Sequence, residues 1–383
     1  MNIGYQRRDE CIICKNKVLN KFFENDYSTY LSFSLFDEIK KDSINIPFNI
    51  VSCNRCFTIQ TLYIGDINII YGENHVDNYG YIKNDINNMF SKFILKNKLI
   101  EGPIEVGACT NSLYSLIIDN IETKYTIIEP GYKGEYMDKL NIINSYFENV
   151  DIKSIVGNTI IMSNVFEHFY NPIFILNKLR DSTNIEYVYL CHPNYEHYCT
   201  ADINNILNFE HIFYIELEFL KKLFMLYNFE LEESEDYKSN YFFLKFKRIE
   251  TDTNSNDITF TNINSLTDTT EYFKRMHGRI NKINLLLEDN TYDYYFWPAS
   301  AHTVTLFMNG LKWDKLSGVL DNSPNKIGKY MYGYNLKCED MNKKLREPLL
   351  RKTKLFLTGA GLYLNELNIN NSSIELIYIN ELT

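Results

Sequence analysis

An alternation in the middle of the chain restricts its fold more than any other feature. Short apolar runs of strand length are repeatedly followed by segments whose apolar residues recur at helical spacing. "PIEVGA" (103–108), "KYTIIEP" (124–130), "NTIIMSNVFEH" (158–168) and "IEYVYLCHP" (185–193) each read as a strand or as a strand running into a turn. "FELEESEDY" (229–237) and "YFFLKFKR" (241–248) then read as an antiparallel pair at a sheet edge. Strands that alternate with helical segments predict an α/β domain with a mostly parallel sheet. "NNMFSKFILKNKLI" (87–100), ahead of the first strand, reads as an amphipathic stretch.

The turn after the first strand bears on function. Only Gly107 stands where a pyrophosphate-cradling loop needs several glycines for close backbone approach, and Asn111 is among the few residue types that tolerate a left-handed turn. S-adenosylmethionine carries no phosphate, so one glycine suffices for its methionine end. Glu129, at the end of the second strand and about 20 residues past the turn, stands where a carboxylate accepts bonds from both ribose hydroxyls.

The cysteines separate into two groups. "CIIC" (Cys11, Cys14) and "CNRC" (Cys53, Cys56) are two C-x2-C knuckles, and together they supply the four thiolates of a closed, structural zinc site. Cys109, Cys191, Cys199 and Cys338 show no such spacing and are expected in cores. With 383 residues, 45% of them hydrophobic, the chain is long enough for two or three domains with separate cores. A formal net charge of −10 argues against a nucleic-acid binder, which needs clustered Lys and Arg. The start, "MNIGYQRRDECIIC", has no apolar core of signal-peptide length, and no run reaches the roughly 18 to 20 apolar residues of a membrane span. A cytoplasmic protein, monomeric or homodimeric, is expected.

"IEVGACTN", "IIEP", "SNVFEHFYNP" and "NFEHIFYI" resemble, in order and spacing, the class I methyltransferases that modify nucleotide-linked deoxysugars, a group that includes the sugar C-methyltransferases. That group carries a four-cysteine zinc module ahead of a Rossmann-like methyltransferase domain, and a third, smaller Rossmann-like domain behind it. "YYFWPASAHTVTLFMNGL" and "GVLDNSPNKIGKYMYGYNL" look similar to the third domain. The resemblance implies a zinc module over 1–70, a methyltransferase domain over 71–250, a linker over 251–266 and a C-terminal domain over 267–383. It implies S-adenosylmethionine as cofactor, held by Glu105, Gly107, Ala108, Glu129, Phe147 and Asn164, with Tyr146 as an alternative to Phe147 beside the adenine. His211 is implied as general base, Glu210 as its orienter or a substrate hydroxyl ligand, and His168 as a second polar wall. Tyr71, Asn74 and His75 in "YGENHVDNYGY", together with Asn194, are implied to line the substrate pocket.

The chain also departs from that group. Asn111 replaces a second glycine, Thr110 stands near a position usually acidic or an amide, and Asn208 replaces the tyrosine that precedes "FEH" in C-methylating members. C-methylation of a keto sugar is the leading expectation; O-methylation, or a non-catalytic sugar-nucleotide binder, is the alternative.

Beyond the polar stretch 249–265, Phe273, Met276, Ile280, Ile283 and Leu287 recur at spacings of three and four and predict an amphipathic helix. "YDYYFW" and "AHTVTLFMNGL" then read as a further strand and helix. The turn "WPASAHT" between them lacks glycines for a pyrophosphate, so scaffold or substrate-side wall is the expected role.

Overall fold

The computed structural model describes residues 4–23, 35–38, 47–71, 80–96, 101–108, 113–132, 134, 138–203, 210–250, 263–344, 346, 351–358 and 373–382. Its centre is a seven-stranded sheet. Spatially the order runs Leu140–Ile143, Tyr125–Ile128, Pro103–Val106, Thr159–Ser163, Tyr187–Pro193, Tyr241–Arg248 and Phe229–Tyr237. The first five are parallel, and the last two close one edge as an antiparallel hairpin. Every residue of Pro103–Val106 and of Tyr125–Ile128 is buried, which is why these strands read as continuous apolar runs rather than as alternations. The outermost strand, Phe229–Tyr237, carries an alternating acidic face, and charge on an edge strand discourages pairing with other chains. Lys96 binds Glu233 and Glu235 from the helix Gly80–Leu95 side of the sheet at 2.5 and 2.8 Å.

Leu140–Ile143 is a strand that the apolar pattern did not mark. "LNII" is short, its residues are half-buried or exposed, and only its pairing with Tyr125–Ile128 makes it a strand.

The cysteine segment builds a four-stranded antiparallel sheet in the order Phe213–Tyr214, Ile59–Thr61, Ile50–Cys53, Leu19–Phe23. Its outer member comes from residues more than 150 positions away, just past the "FEH" segment: Thr61 N donates to Ile212 O at 3.1 Å. Cys11, Cys53 and Cys56 share one core with Phe166, Ile212 and Phe213, so this module and the large sheet are packed as a single body.

The C-terminal unit begins with the helix Ile263–Leu286, so the last four positions of the expected linker are helical; 251–262 lie outside the described residues. Phe273, Met276, Ile280, Ile283 and Leu287 are all buried, as the spacing predicts. Arg275 and Arg279 on this helix clamp Asp202 at 2.8 and 2.5 Å and fasten the unit to the helix Tyr195–Thr200 region. Five strands follow, in the order Cys338–Asp340, Gly318–Asp321, Tyr292–Trp297, Lys352–Leu357 and Ile374–Tyr378, all parallel. Numbered along the chain this is 3-2-1-4-5, the same order as the five parallel strands of the large sheet. Both sheets are therefore doubly wound Rossmann-like units, the second smaller than the first.

Candidate functional site

In a doubly wound sheet the ligand crevice opens at the carboxyl ends of the two strands where the winding reverses. Here those strands are Pro103–Val106 and Thr159–Ser163, and the residues that follow them are Gly107 and Asn164. Both take left-handed backbone angles, φ +74° and +58°. Gly107 is exposed, and a β-carbon there would lie 2.6 Å from Val165 Cγ2, so the crevice wall admits only glycine.

Glu105 braces the turn from below. Its carboxylate is 2% exposed and accepts from Leu113 N at 3.0 and 3.2 Å and from Tyr125 OH at 2.9 Å. It ties the far end of the first turn to the neighbouring strand and so fixes the loop's span. Ala108 is likewise buried, among Leu113, Tyr114 and Ile117. Cys109, Thr110 and Asn111 lie outside the described residues.

At the end of Tyr125–Ile128, Glu129 is half-buried, and its Oε1 accepts from Gly131 N at 2.9 Å. Tyr146 stands beside it: burial, and next the Glu129 carboxylate, push its phenol up. Phe147 is turned into the core. The ring is 3% exposed, 6.1 Å from Phe169 and capped by Lys178 Nζ at 5.3 Å. Burying such a ring is worth about 2 kcal/mol. Tyr146 is the aromatic that faces outward.

The stretch after Thr159–Ser163 turns through a short 3-10 segment, Phe166–His168. There Phe166 goes into the core, Glu167 goes beneath the crevice, and His168 lies at its wall. Glu167 is 2% exposed, and neither carboxylate oxygen has a partner at hydrogen-bond distance. Imidazoles surround it. His168 Nε2 lies 3.9 Å from Oε1 and His192 Nδ1 lies 3.6 Å from Oε2, while the His211 ring stands edge-on to that of His168 with centroids 5.0 Å apart. Burial pushes the Glu167 carboxyl up, but His192, His168 and His211 together outweigh it and hold the group down at about 2, as a carboxylate.

Two distant segments set the positions of these imidazoles. Tyr71 OH and His168 Nδ1 are 2.8 Å apart, which orients that ring. His211 sits between Glu210, itself buried, and Ile212, whose N–H donates to Glu167 O at 3.0 Å and whose carbonyl accepts from Thr61 N. The strand of the cysteine module thus holds His211 against Glu167.

In the cysteine cluster, Cys11 and Cys56 Sγ are 3.6 Å apart, Cys14 and Cys53 Sγ 3.5 Å apart, and all four lie within 4.8 Å of one another. Zinc–sulfur bonds of about 2.3 Å in a tetrahedron put sulfurs about 3.8 Å apart, so the cluster is compatible with a zinc module. Arg55 N donates to Cys53 Sγ at 3.3 Å and Asn16 Nδ2 to the same sulfur at 3.6 Å, the kind of contact that stabilises a thiolate.

Of the remaining expectations, Asn74 and His75 lie outside the described residues, as does Asn208. Asn194 caps the helix Tyr195–Thr200, its Oδ1 accepting from His197 N at 3.2 Å, and it is 8% exposed. Sequence reasoning missed Glu167 and His192. Glu167 sat inside the quoted "FEH" triplet, and its place between two histidine-bearing segments was the available signal. His192 had none, being one polar residue in an apolar strand.

No family model matches the chain, and neither does any curated protein. Among solved structures it is similar to the methyltransferase domain of bacterial CtHen1, at 15% identity over 43% of this chain and 99% of that one, with a TM-score of 0.35. It is similar to the 1,6-didemethyltoxoflavin-N1-methyltransferase of Burkholderia thailandensis, at 7% identity over 44% of this chain and 79% of that one, TM-score 0.34. A third is the CcbJ methyltransferase of Streptomyces caelestis, at 9% identity over 43% and 90%, TM-score 0.34. The strand order given above, not these likenesses, defines the fold: five parallel strands with an edge hairpin, the Rossmann-like methyltransferase arrangement.

Proposed function

We propose that this chain is an S-adenosylmethionine-dependent methyltransferase that acts on a nucleotide-linked deoxy or keto sugar, with carbon as the acceptor atom. One observation carries the reading: Gly107, the exposed turn at the cofactor end of the crevice, is pressed against Val165, which precedes Glu167 by two residues and His168 by three. A cofactor bound at the turn and an acceptor at the imidazole cluster would therefore be neighbours. Bound S-adenosylmethionine supplies a methyl group activated on a sulfonium. Glu129 would hold the ribose hydroxyls and Tyr146 would lie along the adenine.

The protein's own chemistry is at the other end. A sugar carbon becomes nucleophilic only when an adjacent ketone acidifies its proton, so a 4-keto sugar is the logical acceptor. The cluster of Glu167, His168 and His211 takes up that proton, with His211 as the accepting imidazole and the Glu167 carboxylate stabilising the charge that results. Glu210 orients His211 or a substrate hydroxyl. Zinc on Cys11, Cys14, Cys53 and Cys56 would be structural, since four thiolates leave no open position, and its effect on the reaction would run through the strand that holds His211.

Calorimetry with S-adenosylmethionine tests the cofactor; absence of binding by folded protein removes the methyltransferase reading. The acceptor atom is tested with a 4-keto nucleotide sugar in deuterated water without methyl donor. Deuterium should enter the carbon beside the ketone, and His211→Asn should slow this by about 100-fold or more while cofactor affinity is kept. No exchange, together with a methyl ether in the product, makes O-methylation correct.

A further inference from the structure

The acceptor end contains a feature that proton transfer alone does not require. Glu167 is a carboxylate almost without solvent contact, and a buried charge with no hydrogen bond at normal distance carries a large desolvation cost unless a cation lies close to it. Around it stand ligand atoms of the right kind. One atom each from Glu167, His168 and His211 lie within 4.8 Å of one another, so a closure of a few tenths of an ångström at most brings them within the roughly 4.4 Å that donors at about 2.2 Å from one ion can span.

The surroundings fit as well. Metal-bound histidines engage a polar partner through the other ring nitrogen, and His168 Nδ1 meets Tyr71 OH at 2.8 Å, leaving Nε2 on the Glu167 side. The carboxylate is divided in the same way: Oε1 faces His168 while Oε2 faces His192 at 3.6 Å, so His192 orients the group from behind. His211 is held by backbone on both sides of the next residue, through Glu167 O and Thr61 N. All three donors thus sit on restrained supports, as a metal centre requires.

We infer that Glu167, His168 and His211 form a second metal centre, separate from the cysteine cluster, that binds one divalent first-row transition ion. Two imidazoles and a carboxylate suit such ions, and three protein ligands leave positions open on an ion that takes five or six. Those positions would take the acceptor's oxygens, a ketone or neighbouring hydroxyls. With His211 bound to the ion it is no longer the free base of the proposal above: the ion acidifies the adjacent proton as a Lewis acid, and a hydroxide on a remaining open position takes that proton up and leaves as water. This refines the proposed function's acceptor chemistry and rests on it for the role of the ion, though not for its binding.

The test titrates zinc-loaded, full-length protein with Mn2+, following the paramagnetic resonance signal of the free ion, and repeats the titration with Co2+ by visible absorption. Mn2+ is a hard ion low in the affinity order, so it leaves zinc on the thiolates in place. One ion should bind per chain beyond the zinc, and Glu167→Gln and His211→Asn should each weaken it by roughly 10-fold or more. Unchanged zinc content shows that each variant is folded. Absence of uptake of either ion up to about 1 mM, or uptake unaltered in both variants, overturns the inference. S-adenosylmethionine binding is measured on the same samples. Its loss with ion uptake intact would sink the methyltransferase reading alone, and the reverse result would sink the metal centre alone.

Discussion

The two doubly wound sheets share one strand order and differ at the point where that order reverses. In the large sheet the turn there is exposed Gly107, facing half-buried Ser163 and Asn164, with a buried carboxylate below that has no close hydrogen-bond partner. In the C-terminal sheet the corresponding turn is buried instead of exposed, although Ser300 Oγ and His302 Nδ1 just past it are buried without a hydrogen-bond partner. Trp297, Pro298 and Ala299 are buried, Thr358 N donates to Trp297 O at 2.9 Å, and the Thr303 and Thr358 hydroxyls meet at 3.1 Å. Its buried carboxylate, Asp321, is fully engaged, by Lys326 at 2.8 Å and Ser323 N at 2.9 Å. A fold thus offers a place for a site, and whether the turn there is open to solvent or buried by the protein decides whether a ligand can reach it.

The most drastic way to break this comparison is to remove a zinc ligand. Cys53→Ser should abolish stoichiometric zinc and unfold the cysteine module, since a structural zinc contributes on the order of 10 kcal/mol to folding. Because Ile59–Thr61 holds Phe213–Tyr214, activity should vanish, and since Ile50 and Ile59 share a core with Phe273 and Phe296, the C-terminal sheet should lose part of its protection from hydrogen exchange as well. Unchanged metal content in the variant would show that the four cysteines do not bind zinc.

A smaller effect separates the two sheets by pH. His302 is buried in the C-terminal unit, and burial, and next Lys326, push its imidazole down to about 4 from an ordinary 6.5. Between those values the unfolded chain binds a proton that the folded chain refuses. Stability is therefore complete above pH 6.5 and falls as the pH is lowered toward 4, by up to about 3 kcal/mol. Glu216, at the start of the helix Leu217–Met225, runs the other way: burial, and next Glu196, raise it to about 7, so its contribution is present below pH 4.5 and is lost as pH rises to 7. Acid should accordingly loosen the C-terminal sheet first, and His302→Phe should flatten the slope in thermal melts between pH 6.5 and 4. A slope unchanged by this substitution would rule out His302 as its source.

The mildest change bears on the open crevice. Glu129→Ala should weaken S-adenosylmethionine binding by roughly 1.5 to 3 kcal/mol, the worth of hydrogen bonds to a charged group. Asp321→Ala, the equivalent strand end in the C-terminal sheet, should leave that affinity alone. If calorimetry finds the two variants equal, the contrast between the crevices has no functional meaning.

Much of the fold was legible in local pattern. Four of the five parallel strands of the large sheet, its edge hairpin, the long C-terminal helix and the paired cysteines all follow from residue types at short range, because burial on both faces, helical periodicity and C-x2-C turns are local properties. The fifth parallel strand, "LNII", was not legible, since half-buried edge residues leave no apolar run.

The site divides along the same line. Gly107 and Glu129 follow from their places beside strands, and His168 and His211 from a triplet motif. Tertiary structure alone decided the rest. It turned Phe147 inward and Tyr146 outward, committed Asn194 to a helix cap, and added residues 213–214 to a sheet begun near residue 19. It also brought His192, His168 and His211 around one buried carboxylate. Those outcomes depend on which distant segments pair and on which polar groups find partners once they do, and neither is recorded in the residues near any one position.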